Sequence, residues 1–423
     1  MKLTLRSVIV AALVASGCSR GGLPPSPLPY ESAGSPNADA SRSTASTRPV
    51  AAGYRTVYAF QGGSDGAQPE AGLLAVNGAL VGTTYAGGDA SGCSGGCGTV
   101  YRVRPSGTEH VLHRFSGGSD GANPIGGVVE LDQTFYGTTV GGGTHGYGTV
   151  FSVNPAGSER VLYAFAGAPD GAKPEATLLA YRGALYGTTY GGGNGGCFGS
   201  PTGCGTAFRI DTSGNEAVIH RFGLRPDGAL PMSNLIAVHG TIYGTTTKRT
   251  TNEGGGVCGA GAGCGVVFAM TPAGGDERVV YRFLRSPDAS TPESGLVWVD
   301  GLFYGTTPYG GAKGKGTVYL VNTLGGEQIV HSFNGYGDGA NPFGSVLAHA
   351  GSFYGTTYNG GRHGKGTVFA IDASNVKTVL HDFAGGSDGA NPVGTLVMFD
   401  GQLYGTTKYG GSHGAGTVFS LAP

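Results

Sequence analysis

The sequence predicts an all-β ring, a seven-bladed β-propeller with four antiparallel strands per blade, and three observations carry that expectation. From residue 54 onward the chain repeats one pattern seven times. Each copy holds four short alternating segments within about 50 residues, the unit of a propeller blade. The array is also split at its ends: Thr56 to Phe60 reads as a strand D with no A, B or C before it, and Thr417 to Leu421 as a strand C with no D after it. Side by side, the N-terminal strand D and the C-terminal strand C complete one blade. A ring needs that closure, because an open array leaves a strand edge and an apolar face unpaired.

Four landmarks fix the register. The first is an Asp, at Asp65, Asp120, Asp170, Asp227, Asp288, Asp338 and Asp388. A Phe stands five residues before each and a Pro four residues after. Seventeen residues after each Asp comes the Gly of a Gly-Thr-Thr, and a Gly-Thr-Val-like segment follows, opening at Gly98, Gly148, Gly205, Gly265, Gly316, Gly366 and Gly416. Between landmarks, apolar and other residues alternate over runs bounded by Gly, Asp, Asn and Pro, which reads as strand and turn. In one copy the pattern places strand A at Gly127 to Leu131, B at Thr134 to Thr139, C at Thr149 to Val153 and D at Glu159 to Phe165. Asp300-Gly301 and Asp400-Gly401 are tight A–B turns, and Pro155 to Gly157 makes a C–D turn.

The run Tyr136-Gly-Thr-Thr, then Gly141-Gly142, then Gly148-Thr-Val-Phe151, resembles the signature of the GloVer tandem-repeat proteins, a bacterial family of exported, variously anchored chains. The resemblance spans residues 54–423 and implies export, anchoring and repetition; it brings no activity with it. More loosely, the order of strands is similar to kelch repeats, with Thr-Thr before the paired Gly and Phe where kelch has Trp in strand D. That likeness implies a ring and nothing about partners.

Composition agrees with a turn-rich β chain: 85 glycines, 22 prolines without collagen spacing, and only 13% charged residues. With 26 basic against 27 acidic residues the formal net charge is -1, so there is no electrostatic footprint for nucleic acid or an anionic membrane surface. The N-terminus reads as an export signal. Lys2 and Arg6 precede an apolar run from Val8 to Ala15, too short to span a bilayer, and Ser16-Gly17 lead into Cys18. Residues 1–17 resemble a lipoprotein signal peptide whose cleavage leaves Cys18 N-terminal and acylated, although Ala15 stands where such signals usually carry Leu. The alternative is ordinary secretion with Cys18 free. Residues 18–53, rich in Ser, Pro, Ala and Gly, read as a flexible tether, and 54–423 as the propeller. The expected location is the cell envelope, with the outer membrane as the anchoring surface, and the expected state is a monomer.

Functional expectations gather on the B–C loops. From the Gly of Gly-Thr-Thr to that of Gly-Thr-Val the spacing is 11 in four blades but 16, 18 and 21 in the others. In a four-stranded blade these loops share a face with the D–A connections, and variable loops on a rigid scaffold are where binding usually resides. The three long loops hold the six remaining cysteines, Cys93 with Cys97, Cys197 with Cys204, and Cys258 with Cys264. Disulfides that pin the insertions are the simpler reading; zinc lacks a second Cys or His pair at finger spacing. In the short loops, His145, His363 and His413 occupy equivalent places, with Lys313 in the fourth, and Tyr147, Lys315 and Lys365 stand two residues on. These form either a patch that binds a sugar or peptide, or a three-His metal site should the ring unite them, or simply solvated loops. The repeated Asp lacks the alternating acids of a calcium loop. It is expected to accept backbone N–H groups in the D–A turn, with a Thr hydroxyl of strand B as a further donor. The Phe before it and the Tyr before Gly-Thr-Thr are expected between blades, and His113, His220, His331 and His381 half-exposed on strand D.

No nucleophile elbow, catalytic triad or phosphate loop can be assigned, and no cofactor or metal is expected. The function expected is therefore an exported, lipid-anchored, non-catalytic binding or scaffold module that meets a polysaccharide or envelope protein through the B–C face. The alternative is an envelope polysaccharide hydrolase or lyase drawing acid and base from loop residues such as Glu253 or His363.

Overall fold

The computed structural model describes residues 53–194, 197, 203–223, 227–250, 262–284 and 286–423. The expected signal segment, Cys18 and all of the tether but Gly53 lie outside the described residues. So does Glu253. Among the described residues no helix is long and apolar enough to cross a membrane.

The chain forms seven four-stranded antiparallel sheets, each in the order A-B-C-D. Blade 1 uses Leu74–Val76, Ala79–Thr84, Thr99–Val103 and Glu109–Arg114. Blade 2 uses Val129–Leu131, Thr134–Thr139, Thr149–Val153 and Glu159–Ala164. Blades 3 to 6 repeat the plan through residues 179–221, 236–282, 297–332 and 347–382. In blade 7, Val397–Phe399, Gln402–Thr407 and Thr417–Leu421 are completed by Arg55–Ala59, which pairs antiparallel with Thr417–Leu421 from Arg55 opposite Ser420 to Ala59 opposite Thr417. The ring is closed as the split ends imply. The tight A–B turns also appear, with φ positive at both central residues: Asp300 and Gly301 at 50° and 83°, Asp400 and Gly401 at 46° and 71°.

Strand A is shorter than expected, three residues in every blade, for a physical reason. Its first residues turn their hydrogen bonds toward the neighbouring blade. Gly127 N donates to Thr177 Oγ1 at 2.8 Å and Ser345 N to Thr395 Oγ1 at 3.0 Å. Blades approach so closely here that a Cβ on Gly394 would stand 2.4 Å from Ala71 O.

Three devices join the blades. The Phe of strand D is almost fully buried in all seven copies and meets the aromatic of strand C in the next blade edge-on, as Phe60 meets Tyr101 at 4.9 Å and Phe383 meets Phe419 at 5.3 Å. Burying a Phe side chain stabilises the fold by about 1.5–3 kcal/mol, so this belt is a main cohesive term. The first Thr of Gly-Thr-Thr donates to a carbonyl at the start of the next strand A, as Thr83 does to Gly126 O at 2.9 Å and, across the closure, Thr406 to Ala71 O at 3.0 Å. The second acts within its own blade, pairing with the Thr of Gly-Thr-Val, as Thr139 with Thr149 at 2.8 Å. Finally, the repeated Pro packs on the Gly of Gly-Thr-Val in the preceding blade. At Gly98, φ is 92° and a Cβ would lie 2.7 Å from Pro124 Cδ, so position 98 accepts only glycine.

Candidate functional site

The B–C loops and D–A connections share one face, since the loop after Gly-Thr-Thr pairs with the Asp-Gly-Ala segment, as at Ala122 with Gly141 and Ala340 with Asn359. Two long loops are pinned as expected, by Cys93–Cys97 and Cys197–Cys204 disulfides. The first lies against the D–A connection, where a Cβ on Gly117 would stand 2.7 Å from both sulfurs. Cys264 is disulfide-bonded, while its expected partner Cys258 lies outside the described residues.

His145, Tyr147, Lys313, Lys315, His363, Lys365 and His413 are all exposed on this face. The ring does not unite the three histidines; each stays on its own blade, and His363 and His413 find local partners instead, Asp382 at 3.6 Å and Ser412 at 2.9 Å. Lys315 of blade 5 and His363 of blade 6 do come together. They line a groove of about 630 Å³ at the blade 5–6 junction with Tyr336, Arg362, Asn341 and Asn359. Its lining holds two permanent cations and no carboxylate. Tyr336 presents its ring to solvent, 82% exposed, on the D–A connection. The floor is fixed from behind: Asn341 N donates to Lys315 O at 2.8 Å, and the backbone N–H of Arg362 donates to Asp382 at 2.7 Å, leaving the Arg362 and Lys315 side chains directed by their loops rather than by ion pairs among the described residues. Tyr336 and Arg362 were missed in sequence reading; both break the repeat, which was the available signal.

The repeated Asp behaves as expected toward the backbone: Asp65 accepts Gln61 N at 2.9 Å and Asp388 accepts Ala384 N at 2.7 Å. The additional donor differs from expectation. The strand B Thr hydroxyls are engaged elsewhere, and the group facing each Asp is the Tyr or His seven residues before it, as Tyr58 donating to Asp65 at 2.8 Å and His220 with Asp227 at 2.7 Å; at Asp120, His113 stands 3.3 Å away and the donor is the Ser116 hydroxyl at 2.6 Å. The strand D histidines are half-exposed as expected, and each stands beside the Asp seven residues on. A third side chain, at or just before the start of strand D of the next blade, faces each pair. It is Glu109, Glu159, Glu216, Glu277 and Glu327 at five junctions, Lys377 at the sixth and Tyr54 at the seventh. Burial, then the neighbouring Asp, pushes the carboxyls of Glu109, Glu159, Glu216 and Glu327 up to about 7.

A second concavity lies where the seven strands A begin. Every blade contributes to its lining, and its volume is about 120 Å³. The residue after the repeated Pro points here, and in blades 1, 3 and 5 that residue is Glu70, Glu175 or Glu293, against Ile125, Phe343 and Val393 in blades 2, 6 and 7. Glu70 is neutralised by Lys408 of blade 7 at 2.8 Å. Glu175 and Glu293 have no such partner among the described residues: burial pushes both up to about 7, with Lys173 opposing and Glu70 adding at Glu175, and Glu175 adding at Glu293. Burial and both carboxylates also raise the Tyr190 hydroxyl. Sequence reading passed over these glutamates because the fixed Pro beside them drew attention to architecture, although their alternation with apolar residues marks them as departures from the repeat.

A family model described as the Gloeobacter/Verrucomicrobia repeat matches residues 89–259 and 258–423. No curated protein matches the sequence. Among solved structures, a virginiamycin B lyase from Staphylococcus aureus is similar at 13% identity and a TM-score of 0.52, covering 84% of this chain and 96% of its own. A streptogramin B lyase is similar at 11% identity and a TM-score of 0.50, covering 84% and 93%. At these identities the likeness is one of fold.

Proposed function

The chain belongs to the Gloeobacter/Verrucomicrobia repeat family, and from that premise we propose that it is an exported, lipid-anchored binding module that holds acidic polysaccharide of the cell envelope in the groove between blades 5 and 6. One observation carries the reading: Lys315 and Arg362 come from adjacent blades to a single groove that also offers the exposed ring of Tyr336 and contains no carboxylate. A planar guanidinium binds carboxylate in a fork, an aromatic face stacks on a sugar ring, and the asparagines supply hydroxyl partners. The groove lies within the range of roughly 300–1,000 Å³ typical of ligand pockets.

Surface plasmon resonance against immobilised uronic-acid polymer and a neutral glucan tests it. The acidic polymer should bind, with affinity falling as salt rises, and Arg362→Ala or Tyr336→Ala should weaken binding about tenfold or more. Equal binding of the neutral glucan, or unaltered binding by both variants, sinks the proposal.

A second reading, an enzyme acting on polysaccharide, is favoured by Glu175 and Glu293 in the central mouth. Two carboxyls poised near neutrality supply one proton donor and one acceptor at pH 7, the condition for acid–base chemistry. Release of reducing or unsaturated ends from the bound polymer, lost in Glu175→Gln, would establish it; intact polymer after prolonged incubation would remove it.

A further inference from the structure

We propose that the junction of blades 3 and 4 binds one divalent transition-metal ion through His220, Asp227 and Glu277. His220 lies on strand D of blade 3, Glu216–Arg221, Asp227 on the connection that follows, and Glu277 at the threshold of strand D of blade 4, Arg278–Arg282. One ligand atom from each lies within 4.8 Å of the others, and among the described residues this is the one set of three or more His, Cys, Asp or Glu so placed.

Two further observations point to a ligand there. Asp227 is 5% exposed, and while its Oδ2 meets His220 Nε2 at 2.7 Å, its buried Oδ1 has no hydrogen-bond partner among the described residues. Glu277 Oε1 is likewise buried and unpartnered there, as is the matching oxygen of Glu109, Glu159, Glu216 and Glu327, so an unpartnered Asp oxygen beside a histidine is what sets this junction apart. A buried carboxylate oxygen without a donor is costly, and a cation is the species that satisfies two such oxygens at once. The second observation is internal to the repeat. At the junction of blades 5 and 6 the place of Glu277 is taken by Lys377, whose ammonium stands 2.7 Å from Asp338 Oδ1 and faces the rings of Phe333 and Phe369 at 5.7 and 6.0 Å. The cleft beside the repeated Asp therefore already accommodates positive charge in one copy.

The donor set selects the ion. One imidazole with two carboxylates suits zinc or manganese, whereas calcium asks for six to eight oxygens, a general figure for that ion. On binding, His220 gives up its Nε2–H contact with Asp227, the proton leaving to water or the ring taking the Nδ1–H tautomer, so that the Nε2 lone pair can coordinate; the two carboxylates balance the double charge and water completes the shell. Because Glu277 belongs to blade 4 and the other ligands to blade 3 and its exit, the ion clips two blades together.

The test uses the purified full chain with its disulfides intact, stripped with chelator, and titrated calorimetrically with zinc chloride, manganese chloride and calcium chloride, with thermal melting alongside. Zinc or manganese should bind at one ion per chain and raise the melting temperature, and calcium should do neither. Glu277→Gln, which keeps the shape of the side chain, and His220→Ala should each weaken binding at least tenfold, roughly the loss seen when even a supporting residue of a metal site is removed, and abolish the rise in melting temperature. Glu159→Gln at the junction of blades 1 and 2 should change neither. Absence of binding, retention of full affinity in Glu277→Gln with a native melt in chelator, or equal affinity for calcium overturns the proposal.

Discussion

Lys377 of blade 6 places its Nζ 2.7 Å from Asp338 Oδ1 on the connection leaving blade 5, with both side chains nearly buried at 6% and 12% exposure. Burial alone would raise the Asp338 carboxyl, but hydrogen bonds from His331 and Lys377 carry it well below its usual range. Removing one partner strands the other: Lys377→Met should cost about 3–5 kcal/mol, read by denaturant unfolding. Lys377→Glu recreates the pairing used at five other junctions, so its deficit in melting temperature relative to wild type should shrink as pH falls from 8 to 5. A deficit that grows would contradict the shared geometry.

The glutamate junctions predict a pH dependence of the opposite kind from most proteins. Glu109, Glu159, Glu216 and Glu327 are raised from 4.5 in the open chain to about 7, so the folded ring holds more protons than the unfolded chain between those values. Stability must then fall as pH rises from 4.5 to 7 and level off above. Calorimetric melts across pH 5 to 8.5 should show it, and Gln at all four positions should reduce the slope, the remainder coming from Glu175 and Glu293.

Ring closure can be tested at Phe60, which is buried on the terminal strand against Tyr101 of blade 1. Phe60→Ala should cost about 3–5 kcal/mol. Deleting residues 417–423 should abolish cooperative melting altogether, because blade 7 then loses the strand that joins its two halves. An unchanged melt after that deletion would contradict a closed ring.

The Cys93–Cys97 and Cys197–Cys204 bridges close loops of sequence separation 4 and 7, for which chain entropy gives a stabilisation of only about 2 kcal/mol each. Mild reduction should lower the melting temperature modestly without unfolding the ring. Alkylation before reduction should leave these four cysteines unlabelled by mass spectrometry.

At the central mouth, Glu175→Gln and Glu293→Gln each remove a desolvated acid. Both variants should melt higher than wild type at pH 8 and equally at pH 5, since the penalty exists only where the carboxylates are ionised. A lower melting point at pH 8 would show the charges to be structurally required.

How far the sequence could be read depended on whether a residue acts within its own copy or between copies. Strands B and C of blade 2 fall on the expected residues, because period-two alternation reports the pleat directly. The repeated Asp was legible as a turn residue, yet its real partners, the strand D Tyr or His and the next blade's Glu, were not, because Asp120 and Glu159 stand one whole blade apart and only closure brings them together. The same holds at the binding groove. Lys315 and His363 were visible as departures from the pattern, but Tyr336 and Arg362 join them only through the juxtaposition of two blades. Glu70, Glu175 and Glu293 stand in alternate blades and share a cavity solely because seven strands start around one axis.

The pairing of Arg55–Ala59 with Thr417–Leu421 also sets an order of events. The earliest segment of the ring to emerge during synthesis waits for its closing strand, more than three hundred residues later, before its backbone amides find partners. Six blades can assemble from neighbouring sequence, but the seventh closes last, so until Thr417–Leu421 is made the growing ring carries an unpaired β edge open to association.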